Sequence, residues 1–395
     1  LAATGTNNLQ VDGDFIVESG YITISGGSQV NTVWNLYLKG DFVIQSGAFF
    51  DSRTSGTGSS ANVYFINTNA VRRLSVAGSV AHTGSGGGCP INWVIGPGAQ
   101  VVLTNGNLAL GTANNNTRDS VRVEGVLNLG TNRLVGPGTF TNTATGTLVA
   151  SGTNLLASGL HTIQYGGALV ITNMGVTLTG GEQLHYFNAT NLITGSFASL
   201  DLPALATGLN WWTGRLVTHG RLVVNRAPVP GPASYSRGPG LPLKIKISDL
   251  MALSSDPDSS DGDSIAFDSV NSGDHGATVT TNATYIFYTL ATHTNDTLVY
   301  TIKDQRGGSA STNIAIALVT PGGLAKAIDT SGGTVTVHFS GIPGYPYKVE
   351  RADDVNFTVN LTVLLTTNAP ANGQFSVTDT SPPMPTAYYR LKHNP

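Results

Sequence analysis

A ten-residue phrase occurs twice near the start of the chain, 27 residues apart. Val11-Asp12-Gly13-Asp14-Phe15-Ile16-Val17-Glu18-Ser19-Gly20 returns as Leu38-Lys39-Gly40-Asp41-Phe42-Val43-Ile44-Gln45-Ser46-Gly47. Weaker echoes lie at 74–80, 121–129, 136–140 and 146–149. Every copy is a short apolar run closed by turn residues, without the length or the 3.6-residue period of a helix. Short strands of this kind must bury themselves against their own repeats. The beat of apolar run and glycine predicts a right-handed parallel β-helix, with Val, Leu, Ile and Phe inward and Gly and Asn at the corners. Glycines of the motif are spaced 27, 38 and 47 residues apart, so some coils lack it or carry loops such as 54–60 and 82–88.

Charge supports this reading. Only 11% of the 395 residues are charged, the net charge is −3, and just 15 charged residues fall in the first 200 positions. That leaves no basic field for nucleic acid. A hydrophobic content of 40% argues against wholesale disorder. One cysteine, Cys89 in Gly86-Gly87-Gly88-Cys89-Pro90, excludes an internal disulfide and reads as a buried thiol beside a turn. No run of 18 apolar residues spans a membrane.

Composition shifts near residue 200. Trp211-Trp212 precede an expected closing strand running from Arg215-Leu216-Val217 to Leu222-Val223-Val224. Neighbours in a strand face opposite ways, so one tryptophan is expected to plug the core or meet the next domain. A carbohydrate platform is the functional alternative. Asn225-Arg226-Ala227-Pro228-Val229-Pro230-Gly231-Pro232 reads as a stiff linker. Residues 226–320 read as one β-sandwich, and Pro321-Gly322-Gly323 opens a second linker to another small β unit. The expected fold is therefore all-β: a β-helix over 1–225, then two small β-sandwich domains over 226–320 and 321–395.

Three stretches resemble known families. Tyr186-Phe187-Asn188, Gly195-Ser196-Phe197, Leu202-Pro203-Ala204-Leu205, Trp211 and Leu222-Val223-Val224 resemble the closing segment of autotransporter-associated β-strand repeat proteins, common in large secreted proteins of Verrucomicrobia and Planctomycetes. That resemblance implies a parallel β-helix. Asp256-Pro257-Asp258, Asp261-Gly262-Asp263, Gly276-Ala277-Thr278-Val279, Tyr300-Thr301-Ile302-Lys303-Asp304 and Gly307-Gly308 resemble bacterial cadherin-like, immunoglobulin-type modules. Tyr347-Lys348-Val349-Glu350-Arg351, Phe375-Ser376-Val377-Thr378-Asp379-Thr380 and Ala387-Tyr388-Tyr389-Arg390-Leu391 resemble the small β domain that often ends such proteins. Together they imply extracellular or cell-surface architecture.

The chemistry is sparse. Asp256, Asp258, Asp261 and Asp263 crowd one loop beside Gly262, and calcium takes six to eight hard oxygens from such loops. The alternative is a solvated turn whose aspartates cap their own amides. The cadherin-like resemblance implies that Asp304 approaches the same loop. Arg72-Arg73 is the one dibasic pair in the β-helical part, and reads as a contact for a neighbouring subunit or acidic glycan, or as a solvated corner. A glycosidase needs two carboxyls about 5–9.5 Å apart; Asp14 and Asp41 repeat with the motif and read instead as a corner device. The eight histidines are dispersed, without zinc spacing. The expectation is a structural, non-enzymatic protein of a filament, sheath or surface layer, joined head to tail as a homopolymer, with calcium as the one candidate cofactor. A glycan-binding adhesin and a polysaccharide-active enzyme are the alternatives.

Overall fold

A computed structural model describes residues 5–25, 30–53, 58–83, 87–113, 116–238, 241–292, 294–319 and 327–393. Strand accounts for 54% of the chain and helix for 4%, so the protein is all-β. It divides into two compact units, Leu1–Asn225 and Arg226–Pro395. The proline-glycine segment at 321–323, parts of the loops at 54–60 and 82–88, and His293 lie outside the described residues.

The first unit is a stack of parallel strands. Gly5–Val11, Thr32–Leu38, Ser60–Phe65, Ile91–Ile95, Ser120–Val123, Thr139–Asn142 and Ala157–Tyr165 lie side by side in one sheet. Phe15–Val17, Phe42–Ile44, Val71–Val76, Gln100–Thr104, Val126–Gly130, Thr147–Ala150, Ala168–Ile171 and Ser199–Asp201 form a second, and Gly20–Ser25, Ala48–Ser52 and Ser79–Ala81 a third. The sequence repeat is the structural repeat: Asn8 lies opposite Asn35 and Phe15 opposite Phe42, each 27 residues on. In the first three repeats, one segment thus lays a strand in each of the three sheets, as a rung.

Alternation decides which side chains enter. In Thr32–Leu38 every second residue is buried, and one apolar cluster runs from Val17 through Phe42, Phe50 and Trp93 to Val224. Outward positions form ladders. Asn35, Asn62 and Asn92 each donate Nδ2 to Oδ1 of the asparagine one rung earlier (Asn8, Asn35 and Asn62), at 2.8, 2.8 and 2.9 Å. Tyr21 stacks on Phe49 at 4.4 Å and Tyr37 on Tyr64 at 4.9 Å.

Glycine sits where rungs touch. A Cβ on Gly40 would lie 2.1 Å from the Gly13 carbonyl oxygen, so this corner admits no side chain. The uneven motif spacing has a cause. Gly78 stacks on the corner of Gln45 and Ala48, a different corner from that of Gly40. The echo at 74–80 therefore aligns with the second half of the phrase, Leu74 pairing with Phe42.

The second unit holds two sandwich-like pairs of sheets. Leu243–Lys246, Tyr285–Thr289 and Thr278–Thr281 form one sheet. Ala233–Arg237, Ser309–Leu318, Asp296–Asp304 and Ile265–Val270 form the other, in which the first strand runs parallel to the long Ser309–Leu318 strand. Ile245, Ile286, Tyr288, Tyr300, Ile302 and Ile314 fill the space between them. Further on, Thr334–Ser340 and Pro346–Ala352 centre two three-stranded sheets around Val337, Phe339 and Val349. Ile342 from this part joins the preceding core.

One expectation fails locally. The strand expected from Arg215 is a helical turn, Leu216–His219, closed by Gly220 at φ +66°, and only Arg221–Arg226 is strand. Leu216 enters the core as the turn covers the end of the stack.

Candidate functional site

The acidic loop 253–264 links the helix Ile247–Ala252 to the strand Ile265–Val270. It contains one 3-10 turn, Ser259–Asp261, which ends at Gly262 with φ +84°. Ile265 pairs with Asp304 across the sheet, which brings Asp263 alongside Asp304. Asp304 heads its own turn, its Oδ1 accepting the Arg306 and Gly308 amides at 2.8 Å each. The result is a cluster: carboxylate oxygens of Asp256, Asp263 and Asp304 all lie within 4.8 Å of one another.

This geometry fits a cation. Two oxygens that each lie about 2.3–2.6 Å from one calcium ion are at most about 5 Å apart. Asp256, Asp263 and Asp304 are 8%, 5% and 7% exposed, and Oδ2 of both Asp256 and Asp263 is buried without a hydrogen bond. Buried oxygens of that kind are costly unless something positive fills the gap. Among the described residues one guanidinium reaches the cluster, Arg306 Nε standing 3.3 Å from Asp263 Oδ2. Three carboxylates against one guanidinium leave room for a divalent charge. Burial, then the neighbouring Asp263, Asp304 and Asp258, holds the Asp256 carboxyl above the usual carboxylate range.

The other two loop aspartates do not join. Asp258 is claimed by Arg226, whose Nε, Nη2 and amide reach it at 2.9, 2.6 and 2.8 Å. Asp261 is exposed, and it is its carbonyl that accepts from Arg306 Nη2 at 3.0 Å. The five-aspartate set read from the sequence thus contracts to Asp256, Asp263 and Asp304. Arg226 and Arg306 were missed. Their signal was faint: Arg226 ends a strand and Arg306 sits in a turn, and each is meaningful only once its carboxylate partner is placed.

Of the remaining candidates, Trp211, Trp212 and Arg73 have structural partners. Trp211 packs against the core of the first unit and donates Nε1 to the Pro203 carbonyl at 2.9 Å. Trp212 lies under Arg215, 5.8 Å from ring centre to guanidinium. Arg73 bonds Asp41 through Nε at 2.7 Å and through its amide at 2.9 Å, while Arg72 is half-buried in the strand Val71–Val76. Asp14 takes the Asp41 amide at 2.8 Å in the same way, so this repeated aspartate ties one corner to the next. Cys89 is buried, 3.1 Å from Ser52 Oγ.

Residues 225–317 match the bacterial Ig domain family. The match spans the acidic loop and Asp304, so the carboxylate cluster belongs to an Ig-like module. No curated protein matches the chain.

A second feature lies at the first rung of the stack. Gly5–Val11, Phe15–Val17 and Gly20–Ser25 each pair on one side only among the described residues. Leu9, Ile16, Tyr21 and Ile22 are 56%, 45%, 50% and 40% exposed. A hollow of about 190 Å³ opens there between Leu9, Phe15, Ile24, Trp34 and Phe50. No helix among the described residues is long and apolar enough to cross a membrane.

Proposed function

We propose that this chain is an extracellular structural subunit whose first unit is a right-handed parallel β-helix and whose first rung accepts a neighbouring subunit. The observation that carries the reading is that Gly5–Val11, Phe15–Val17 and Gly20–Ser25, the outermost described strands of three parallel sheets, each pair on one side only among the described residues, beside the exposed Leu9 and Ile22. Unpaired strand edges invite another strand unless they are blocked; among the described residues no proline or helix covers these, and the one irregularity is a register shift at Thr23/Ser25 in the third strand. The asparagine ladder has a direction: each Nδ2 points to the preceding rung, so Asn8 carries the next donor outward. Handedness follows from the strong right-handed preference of crossovers between parallel strands. An Ig-like module is consistent with a surface or extracellular protein. A heterologous contact of this type propagates as an open polymer.

Calcium is proposed as the cofactor of the Ig-like module, held by Asp256, Asp263 and Asp304, where it would supply positive charge and no reaction chemistry. We take the protein to be a scaffold, not an enzyme. Negative-stain microscopy and light scattering of the purified chain test the assembly. Polymers with an axial repeat, lost in a Leu9→Lys/Ile16→Lys variant that still gives the parent's circular dichroism, are expected. Strictly monomeric particles at high concentration would sink the filament reading.

A further inference from the structure

Two adjoining hollows of about 450 and 590 Å³ in the second unit share Leu243, Lys244 and Tyr345, forming one continuous cleft. Its floor is the outer face of a sheet of the Ig-like module. There Lys244 pairs across strands with Phe287, and Lys246 with Tyr285, while Leu243, Ile245, Ile286 and Tyr288 face the core. Lys244 Nζ hangs 3.7 Å from the centre of the Tyr285 ring and 5.9 Å from that of Phe287. Phe287 is 38% exposed although it lies in the middle strand of its sheet.

The facing wall is a fixed loop. Ile342 is buried in the Ig-like core, and its amide donates to Tyr347 Oη at 2.9 Å. Gly344 and Tyr345 exchange backbone hydrogen bonds with Ala369 at 2.8 and 2.9 Å. Tyr345 is thus held over the cleft from a position that is already ordered, which lowers the entropic cost of binding.

Charge decides the occupant. Elsewhere in this unit Arg226, Lys303, Arg306, Arg351 and Arg390 each have a carboxylate partner. Lys244 and Lys246 make no ion pair among the described residues, and Asp249 is the one acid lining the cleft. We infer that this cleft binds an acidic polysaccharide, sugar rings lying against Tyr285, Phe287 and Tyr345 and uronate carboxylates meeting Lys244 and Lys246. Aromatic rings offer apolar faces with a polar rim, which suits a pyranose. Two lysines on a chain of net charge −3 are too few for nucleic acid. The middle strand Tyr285–Thr289, which carries the aromatic floor, is hydrogen-bonded on both sides and offers no free backbone to an added peptide strand.

Affinity electrophoresis of the full chain in gels containing hyaluronan, with neutral dextran as the comparison, tests this in the presence of a chelator. Retardation by hyaluronan alone is expected, abolished in Lys244→Ala/Lys246→Ala and weakened several-fold in Tyr345→Ala. Lys39→Ala, on the first unit, is expected to behave as the parent. No retardation, or equal retardation of the parent and the double-lysine variant, overturns the proposal. Retardation that Tyr345→Ala leaves unchanged overturns it too, since that marks ion exchange without a site. Because the assay reads binding to the second unit, it is independent of whether the first unit polymerises.

Discussion

The carboxyl of Asp256 ends with one oxygen on the Asp258 amide at 2.6 Å and the other buried without a hydrogen bond. Its raised pKa has a definite sign in the stability of the Ig-like module. Without a cation, the contribution of Asp256 is fully present below the ordinary carboxylate range, near pH 4, and is lost as pH rises through the raised value. Asp296 and Asp379 act the opposite way. Burial pushes both up, but Tyr288 and His275 for the first, and Arg351 for the second, outweigh it and hold them low. Their stabilisation is present at neutral pH and fades as pH falls. Asp256→Asn separates the two effects. In chelator at pH 7 the variant is expected to melt above the parent, because an uncompensated buried charge is gone. It should also lose any rise in melting temperature on adding calcium, which for the parent at one hundred times Kd corresponds to about 2.7 kcal/mol. Differential scanning calorimetry with calcium and with chelator reads both; a variant that melts below the parent in chelator contradicts the account.

At the scale of elements, the corner glycines set the rung spacing. Gly40→Ala drives a methyl into the Gly13 carbonyl, and overpacking against backbone costs about 1–3 kcal/mol or more. Urea denaturation should show that loss in the first unit, whereas Gly13→Ala, which meets nothing within 4 Å, should be close to neutral. Much of this was legible. The repeated phrase gave the 27-residue register, and alternation in Thr32–Leu38 gave the inward face. In the Ig-like module, the stretch 226–320 read as one β-sandwich holds the strands from Ala233–Arg237 to Ser309–Leu318 in two sheets. The helical turn at Leu216–His219 was not legible, since Leu216-Val217 reads equally as strand and only the need to cover an open core selects the turn. Ala233–Arg237 is poorly signalled for a related reason: its Arg237 is 1% exposed, donating to the Leu290, Thr292 and Thr294 carbonyls. Sequence patterns count arginine as polar and therefore outside.

At the scale of the whole molecule, two compact units imply two partly separable transitions. Thermal unfolding should resolve into two steps, of which calcium shifts only the one belonging to residues 226–395. A single transition moved as a whole by calcium would mean that the units unfold together. The sequence by itself determined the all-β class, the parallel repeat and the crowding of aspartate at 256–263, because these depend on local spacing and side-chain type. Only the tertiary structure decided which carboxylates converge. Asp304 is 41 residues beyond Asp263, and antiparallel pairing at Ile265 closes that distance, while Arg226 withdraws Asp258. The aromatic and lysine cleft likewise depends on strands and a loop brought together from distant positions, and no local window contains it.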